Sequence, residues 1–408
     1  MAKIVFVNRY YAPDESATSQ MLTDLATHLA AAGAEVHIVT SQQLLDDPCH
    51  ELPSEENLDG VTVHRVRTTT FGRGHLSGRA MDYLSFYLTA AMRLLRIADR
   101  SSIVVAKTDP PLISIVVAAV ARLRGARTVN WLQDLFPEVA IELAVPLLAG
   151  RVGRLLVWMR DATARHAMAN VVIGERMADR LRGRSIPSTT IQCIPNWADG
   201  VAIRPWAGPD HPLRTAWGLQ GRFVIGYSGN MGRAHEFQTL LEAAERLRDE
   251  DRIVFLFIGA GQQRTFVEAE ARRRGLSNIV FKPFQPRERL RESLTVPDVH
   301  VASLRPALEG LIVPSKFYGI AAAGRAVLFI GAASGELALQ ILRADCGSTV
   351  EPGDSTQIER LVRLWADSPD RVRVMGRHAR RRIDLALGRR APLQEAQREG
   401  RGGANSPS

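Results

Sequence analysis

The sequence predicts an α/β fold made of two Rossmann-like domains that face each other across a central cleft. Short apolar runs, typical of buried parallel strands, alternate with helical stretches along nearly the whole chain. The pattern stops near residue 200, in a stretch rich in Pro, Gly and Asp, and then starts again. A length of 408 residues also favours two domains over one. Such folds bind ligands beyond the carboxyl ends of their strands, so we expect the chemistry in the cleft.

The first half opens with a strand, a helix and a second parallel strand. Residues 3–8 form a buried-strand pattern, 20–32 have helical spacing and end at Gly33, and 35–40 form the next strand. Further strands are predicted at 61–66, 102–106, 127–132, 170–173 and 190–194. We place the first domain at 1–197.

The second half repeats this alternation. Its strands are predicted at 223–227, 253–258, 278–281, 299–302, 326–329 and 348–350, with a glycine-bearing loop at 228–233. We place the second domain at 198–368. A final helix near 369–387 could pack back on the first domain. Residues 391–408 are expected to be a disordered tail.

Composition excludes several classes of protein. The net charge is +9, but residues 371–401 hold ten arginines against three acidic residues, so most of the excess lies near one end. No aromatic residue interrupts that run, which disfavours nucleic acid as a partner. Three scattered cysteines argue against a disulfide framework or structural zinc. Without a signal peptide or an apolar run long enough to span a bilayer, we expect a cytoplasmic protein.

Seven short segments, in a fixed order along the chain, carry a resemblance to a known family. They are YAPDE (11–15), QDLFPE (133–138), IPNW (194–197), YSGNMGR (227–233), FQPRERL (284–290), EGLIVPSK (309–316) and AAAGRAV (321–327). Together they resemble the retaining GT-B glycosyltransferases of family 4, in the subgroup of colanic-acid type that builds exopolysaccharide or O-antigen. The resemblance implies transfer of a sugar, with retention, from a nucleotide diphosphate to a lipid-linked or saccharide acceptor. It favours UDP over GDP.

The match has two departures. The family's pair of glutamates, eight positions apart, appears here with Glu309 alone, because Phe317 or Gly319 stands at the second position. The first loop of the second domain often holds an Arg and a Lys in relatives, whereas Asn230 and His235 occupy those places here.

The donor's two phosphates need cations, backbone N–H groups or helix N-termini around them. Gly229, Asn230 and Arg233 lie in the loop after the first strand of the second half, and Lys316 precedes a helix predicted at 317–323. Phe284 resembles the residue that packs on the nucleobase, although a core aromatic would look the same. No cofactor or metal is expected, since the one Asp-x-Asp triplet, at 249–251, follows a helix instead of a strand.

Glu309 is the predicted catalytic residue. In the family the equivalent carboxylate contacts the donor sugar and balances positive charge in the transition state. A loop glutamate that caps a helix would have the same sequence context. Asp14, Glu15 and Asp134 follow strands of the first half and are predicted to bind the acceptor. Asp134 could equally form a structural ion pair.

Two arginine-bearing apolar stretches, 83–96 and 147–160, have the composition of helices that lie on an anionic membrane, but also of buried amphipathic helices. Three other functions stay open. A nucleotide-sugar epimerase or a non-catalytic relative could share the fold. An NAD(P) oxidoreductase is disfavoured because Arg264 replaces the third glycine after Gly259 and Gly261.

Overall fold

The computed structural model describes residues 3–45, 47, 51–72, 76–148, 150–208 and 210–388. The chain forms two compact units, Met1–Pro195 with Gly310–Ile312, and Asn196–Glu309 with Val313–Ser408. Each unit has its own largely parallel sheet, so the predicted fold class is confirmed. The tail predicted at 391–408 lies outside the described residues.

The first unit contains an eight-stranded sheet of order β3-β4-β2-β1-β5-β6-β7-β8. All neighbouring strands run parallel except β3 and β4. The strands are β1 (Lys3–Val7), β2 (Glu35–Ser41), β3 (Glu55–Leu58), β4 (Val61–Val66), β5 (Ser102–Lys107), β6 (Arg127–Leu132), β7 (Ala169–Val172) and β8 (Ile191–Cys193).

Helices connect these strands and cover the sheet. They are α1 (Ala17–Ala31), α2 (Leu76–Ile97), α3 (Ile113–Arg124), α4 (Glu138–Glu142), α5 (Arg151–His166) and α6 (Glu175–Arg182), with short 3-10 turns at Pro146–Leu148 and Ser188–Thr190. α2 packs beside α3, and α3 beside α5. Phe86 and Leu94 of α2 are buried with Val117 of α3 and Val104 of the sheet, so these helices form one layer against it.

The edge strand β3 is the one strand of the described residues that the sequence analysis missed. Its residues Glu-Glu-Asn-Leu carry almost no apolar signal, because an edge strand need not be buried. It pairs with β4 through a two-residue turn in which Asp59 and Gly60 both have positive φ, +51° and +84°. An Asp-Gly pair in this position is a strong hairpin signal that could have revealed the strand.

The second unit contains a six-stranded parallel sheet of order β11-β10-β9-β12-β13-β14. Its strands are β9 (Phe223–Ser228), β10 (Ile253–Ile258), β11 (Ile279–Lys282), β12 (Val299–Ser303), β13 (Ala326–Ile330) and β14 (Gly347–Val350). All thirteen strands predicted in the two halves are present within one residue at each end. They could be predicted from their long apolar runs, because parallel strands are buried on both faces.

The helices of the second unit are α7 (Pro212–Ala216), α8 (Gln238–Arg246), α9 (Arg264–Arg273), α10 (Leu290–Thr295), α11 (Lys316–Ala322), α12 (Glu336–Ala344), α13 (Ser355–Asp367) and α14 (Pro369–Gly388), with 3-10 turns at Arg287–Arg289 and Pro306–Leu308. Val372 and Met375 of α14 lie in the core of this unit. The guanidinium of Arg380 donates to Gly200 O and Ala322 O, both at 2.8 Å. The final helix is therefore part of the second unit's fold.

Candidate functional site

The predicted donor residues lie beyond one edge of the second sheet. Gly229, Asn230 and Arg233 follow β9, Phe284 follows β11, and Glu309 lies between β12 and α11. Because β11, β10, β9 and β12 are parallel neighbours, their carboxyl ends meet at the same edge. This edge is the candidate donor site.

At this edge the loop after β9 and the loop after β10 contact each other through their backbones. The N–H of Gly229 donates to Ile258 O at 2.9 Å, and that of Met231 donates to Ala260 O at 2.7 Å. Gly259 and Gly261 have φ of +135° and +136°, and a Cβ on Gly259 would lie 2.2 Å from Gly229 O. Glycine is required there by loop packing. Loop packing therefore explains Gly259 and Gly261 without a dinucleotide-binding role.

These bonds correct one part of the sequence interpretation. The loop at 228–233 was expected to direct its N–H groups at the ligand, but those of Gly229 and Met231 are used between the loops. The next helix, α8, begins only at Gln238, so the loop does not lead directly into a helix N-terminus. Side-chain cations must therefore supply more of the positive charge for a diphosphate.

Lys316 is held by Tyr227 at this edge. Its ammonium donates to the hydroxyl of Tyr227 and lies 3.8 Å from the centroid of that ring. The Tyr227 hydroxyl in turn donates to Asn230 O at 2.7 Å. Burial lowers the pKa of Lys316 to about 7. The phenol–lysine pair joins β9, the loop after it and α11, and a Cβ built on Gly229 would lie 3.7 Å from the ammonium.

His235 cannot replace the cation that relatives carry in this loop. Its Nδ1–H donates to Ser303 O at 2.7 Å, and burial, with a smaller effect of Lys316, lowers the pKa of His235 to about 3. The imidazole is therefore neutral at physiological pH. Arg233 is exposed in the same loop, and its role and that of Lys316 in donor binding stay predictions.

Phe284 is 55% exposed, so it is not a core aromatic. A Cβ on Gly259 would lie 3.2 Å from its ring, which places Phe284 beside the two packed loops. Asn230 is exposed as well. An exposed aromatic ring at this position offers a flat apolar face to a planar ligand.

Glu309 contacts a helix N-terminus, as the capping alternative required. Its Oε1 accepts from the backbone N–H of Glu336, the first residue of α12, at 2.7 Å. Gly335 makes room for this contact, because a Cβ there would lie 2.5 Å from Glu309 Oε2. Phe317, which with Gly319 is one of two candidates for the position of the family's second glutamate, is buried. The catalytic role of Glu309 stays a prediction, and a structural role is now visible beside it.

The predicted acceptor residues of the first unit have different environments. Asp14 is buried, and its two oxygens accept from the N–H groups of Ser16 at 2.9 Å and Leu45 at 2.6 Å, so it ties the loops after β1 and β2 together. Glu15 is exposed. Burial, with a smaller effect of Asp109, raises the pKa of Asp134 to about 6. The acceptor role of Asp14, Glu15 and Asp134 stays a prediction.

Lys107 is a buried cation that the sequence analysis missed. It ends β5, its ammonium donates to Thr18 O, and it lies 4.3 Å from the centroid of the Trp131 ring. Burial lowers the pKa of Lys107 to about 7. The sequence signal for it was a lysine at the carboxyl end of an otherwise apolar strand.

Two features are absent from the described ranges. No three His, Cys, Asp or Glu side chains come close enough together there to hold a metal ion. None of the helices in those ranges has the length and apolar character that crossing a bilayer requires.

Comparison with known proteins supplies the relatives. The profile described as "Glycosyl transferase 4-like domain" matches residues 16–197, and that described as "Glycosyl transferases group 1" matches residues 213–382. WcaI of Escherichia coli K12, a glycosyl transferase assigned by its name to colanic acid biosynthesis, is 27% identical over 340 residues, which is 79% of this chain and 81% of WcaI.

Two solved structures share the fold. Sucrose-phosphate synthase of Thermosynechococcus elongatus has a TM-score of 0.72 at 16% identity and covers 97% of this chain and 100% of its own. Anabaena HepE, solved in complex with UDP, has a TM-score of 0.69 at 12% identity over 97% of this chain and 100% of its own.

Proposed function

Since the chain belongs to the retaining glycosyltransferases of family 4, group 1, and has their GT-B fold, we propose that it transfers a sugar from UDP to a lipid-linked or saccharide acceptor. The product would be a cell-surface polysaccharide, as the name of WcaI suggests for that relative. We propose that the enzyme works in the cytoplasm, at the inner face of the plasma membrane.

One observation carries the donor part of the proposal. Lys316 is held by Tyr227 at the carboxyl edge of the sheet, against the loop that contains Gly229. A buried ammonium with a lowered pKa is costly unless an anion completes its surroundings. The donor's diphosphate is such an anion, and exposed Arg233 can contact the same oxygens bidentately.

The exposed ring of Phe284 supports a nucleobase beside these phosphates. Its neighbour Gly259 belongs to the loop packed on Gly229, so the base and the diphosphate would bind next to one another. We favour uracil because HepE, which shares the fold, was solved with UDP. Asn230, exposed in the same loop, offers an amide to the base or ribose.

For the transfer step, the bond between the anomeric carbon and the diphosphate oxygen breaks as positive charge grows on the sugar. The acceptor hydroxyl attacks from the same face and gives its proton to the departing phosphate oxygen, so no enzyme base is required. We assign Glu309 to stabilising the sugar's developing charge, while Lys316 and Arg233 stabilise the leaving diphosphate. Asp14, Glu15 and Asp134 are assigned to the acceptor.

The experiment is a thermal-shift panel with UDP, GDP, ADP, CMP and NAD. A ligand at about 100 times its Kd stabilises the folded protein by about 2.7 kcal/mol. For a domain of this size that raises Tm by roughly 5–10 °C. We expect UDP to give the largest shift. A shift with NAD and none with UDP would reject the proposal in favour of an oxidoreductase.

Turnover separates the remaining alternatives. Release of UDP from UDP-glucose or UDP-N-acetylglucosamine, with a saccharide acceptor present, identifies a transferase. An epimerase would instead convert the UDP-sugar into its epimer without releasing UDP. A non-catalytic relative would bind UDP and do neither.

A further inference from the structure

One helix of the first unit is apolar on two opposite faces. Its inner face, with Phe86, Ala90 and Leu94, is fully buried against the sheet. Its outer face carries five residues that are 40–59% exposed and that we call the outer stripe: Met81, Leu84, Leu88, Met92 and Leu95. The spacing of three or four residues aligns them in one row along α2.

Folding does not account for the outer stripe. Five neighbouring large apolar side chains in water form a contiguous patch, whereas soluble surfaces normally carry such residues singly. Exposed apolar side chains also occur on the helices packed next to α2. On α5, Leu155 and Trp158 are 55% and 62% exposed, and on the intervening α3, Leu123 is 76% exposed.

The exposed charges carried by these three helices all have one sign. Apart from His166, every exposed charged side chain that the structure describes on α2, α3 and α5 is an arginine. There are seven: Arg79, Arg96, Arg122, Arg124, Arg151, Arg154 and Arg165. The two acidic residues of these helices, Asp82 and Asp161, are buried. A second copy of the same surface would meet arginine with arginine, so self-association is electrostatically disfavoured.

We propose that the outer stripe, with the exposed residues of α3 and α5 beside it, docks the protein on an anionic lipid bilayer. The apolar side chains enter the boundary between headgroups and acyl chains, and the arginines contact lipid phosphates. Trp158 has the amphipathic ring that membrane proteins place at this boundary. This proposal rests on the proposed function in one respect: a lipid-linked acceptor lies in such a bilayer, so docking would bring the enzyme to it.

The experiment measures binding of the full chain to vesicles by flotation. Vesicles of phosphatidylcholine mixed with phosphatidylglycerol are compared with phosphatidylcholine alone. We expect wild-type protein to bind the anionic vesicles, less so at high salt because the arginine contribution is screened. The double variant Leu84→Ser/Leu88→Ser should lower the ratio of bound to free protein at least about 10-fold, since two leucines lose their burial in the bilayer.

Matched controls come from the second unit. Leu342→Ser removes a leucine that is 75% exposed on α12, outside the proposed surface, and should bind as wild type. Arg151→Gln/Arg154→Gln should weaken binding to anionic vesicles and reduce its salt dependence, whereas Arg360→Gln, exposed on α13, should not. All variants should keep the wild-type Tm, because each replaces exposed side chains.

Three results would overturn the proposal. They are the absence of wild-type binding to anionic vesicles, equal binding by the Leu84→Ser/Leu88→Ser variant, and a dimer that this variant abolishes in sedimentation velocity while vesicles stay unbound. The last result would assign the surface to a second copy. Because flotation needs no donor and UDP binding needs no vesicle, failure of the docking surface and failure of the donor assignment are distinguishable.

Discussion

Replacing Glu309 with Gln separates its two roles. Its Oε1 accepts from the N–H of Glu336 at 2.7 Å. The amide oxygen of glutamine can accept the same hydrogen bond, so the cap on α12 remains and only the negative charge is lost. A charge near a helix N-terminus contributes about 0.3–1 kcal/mol. The variant should therefore melt roughly 1–4 °C lower, at about 2–4 °C per kcal/mol for a domain of this size.

Turnover should fall much further. If the carboxylate stabilises charge on the donor sugar mainly in the transition state, its loss lowers kcat by about 100-fold or more while UDP affinity stays near normal. The assay is the rate of UDP release from the UDP-sugar per folded molecule, with UDP affinity by calorimetry and Tm on the same preparation.

Asp354 provides a matched control. Its Oδ1 accepts from the N–H of Gln357 at 2.9 Å and caps α13, so Asp354→Asn makes the same chemical change at another helix. It should show a comparable fall in Tm with normal turnover. If Glu309→Gln behaved in this way too, Glu309 would be a structural residue and the assignment of the catalytic centre would be wrong.

Three further predictions concern the donor. Arg233→Ala and Lys316→Ala should each weaken UDP binding by about 1.5–3 kcal/mol in calorimetry, the usual contribution of a hydrogen bond to a charged group, whereas exposed Arg248→Ala, outside the site, should not. Affinity for UDP-glucose should fall above pH 7, by up to about 10-fold per pH unit, because the ligand needs protonated Lys316, whose pKa is about 7 in the free protein. Lys316→Arg should flatten that profile, and a flat wild-type profile would contradict the reasoning. Transfer should survive EDTA. Loss of activity on chelation, with recovery on adding Mn²⁺ or Mg²⁺, would show that a metal is needed.

The fold was predictable where burial left a continuous signal. Strands such as β10, whose six residues are all buried, are apolar on both faces, and their boundaries follow directly from the sequence. β3 lacks that signal because it is a polar edge strand. In α2 the interpretation as a buried amphipathic helix is confirmed for one face, and the membrane interpretation stays a proposal for the exposed face.

The candidate site was predictable in its location but not in its contacts. Residues at the ends of parallel strands are expected at one edge, and the residues predicted to bind the donor lie there, although their role stays a prediction. The pairing of Lys316 with Tyr227 joins positions 89 residues apart, and the contact of Glu309 with the N–H of Glu336 joins positions 27 apart. Contacts over such distances depend on tertiary packing, which local patterns do not encode.

The backbone contact between the Gly229 and Gly259 loops has a consequence for how donor preference can diverge among relatives. The two loops meet at Gly259, where φ is +135° and a Cβ would lie 2.2 Å from Gly229 O. This backbone contact forms the base of the site. Its shape is therefore insensitive to most substitutions nearby, whereas Asn230 and Phe284 at the margin are exposed and free to vary. Selection can then change the preferred nucleotide through marginal side chains without rebuilding the platform beneath.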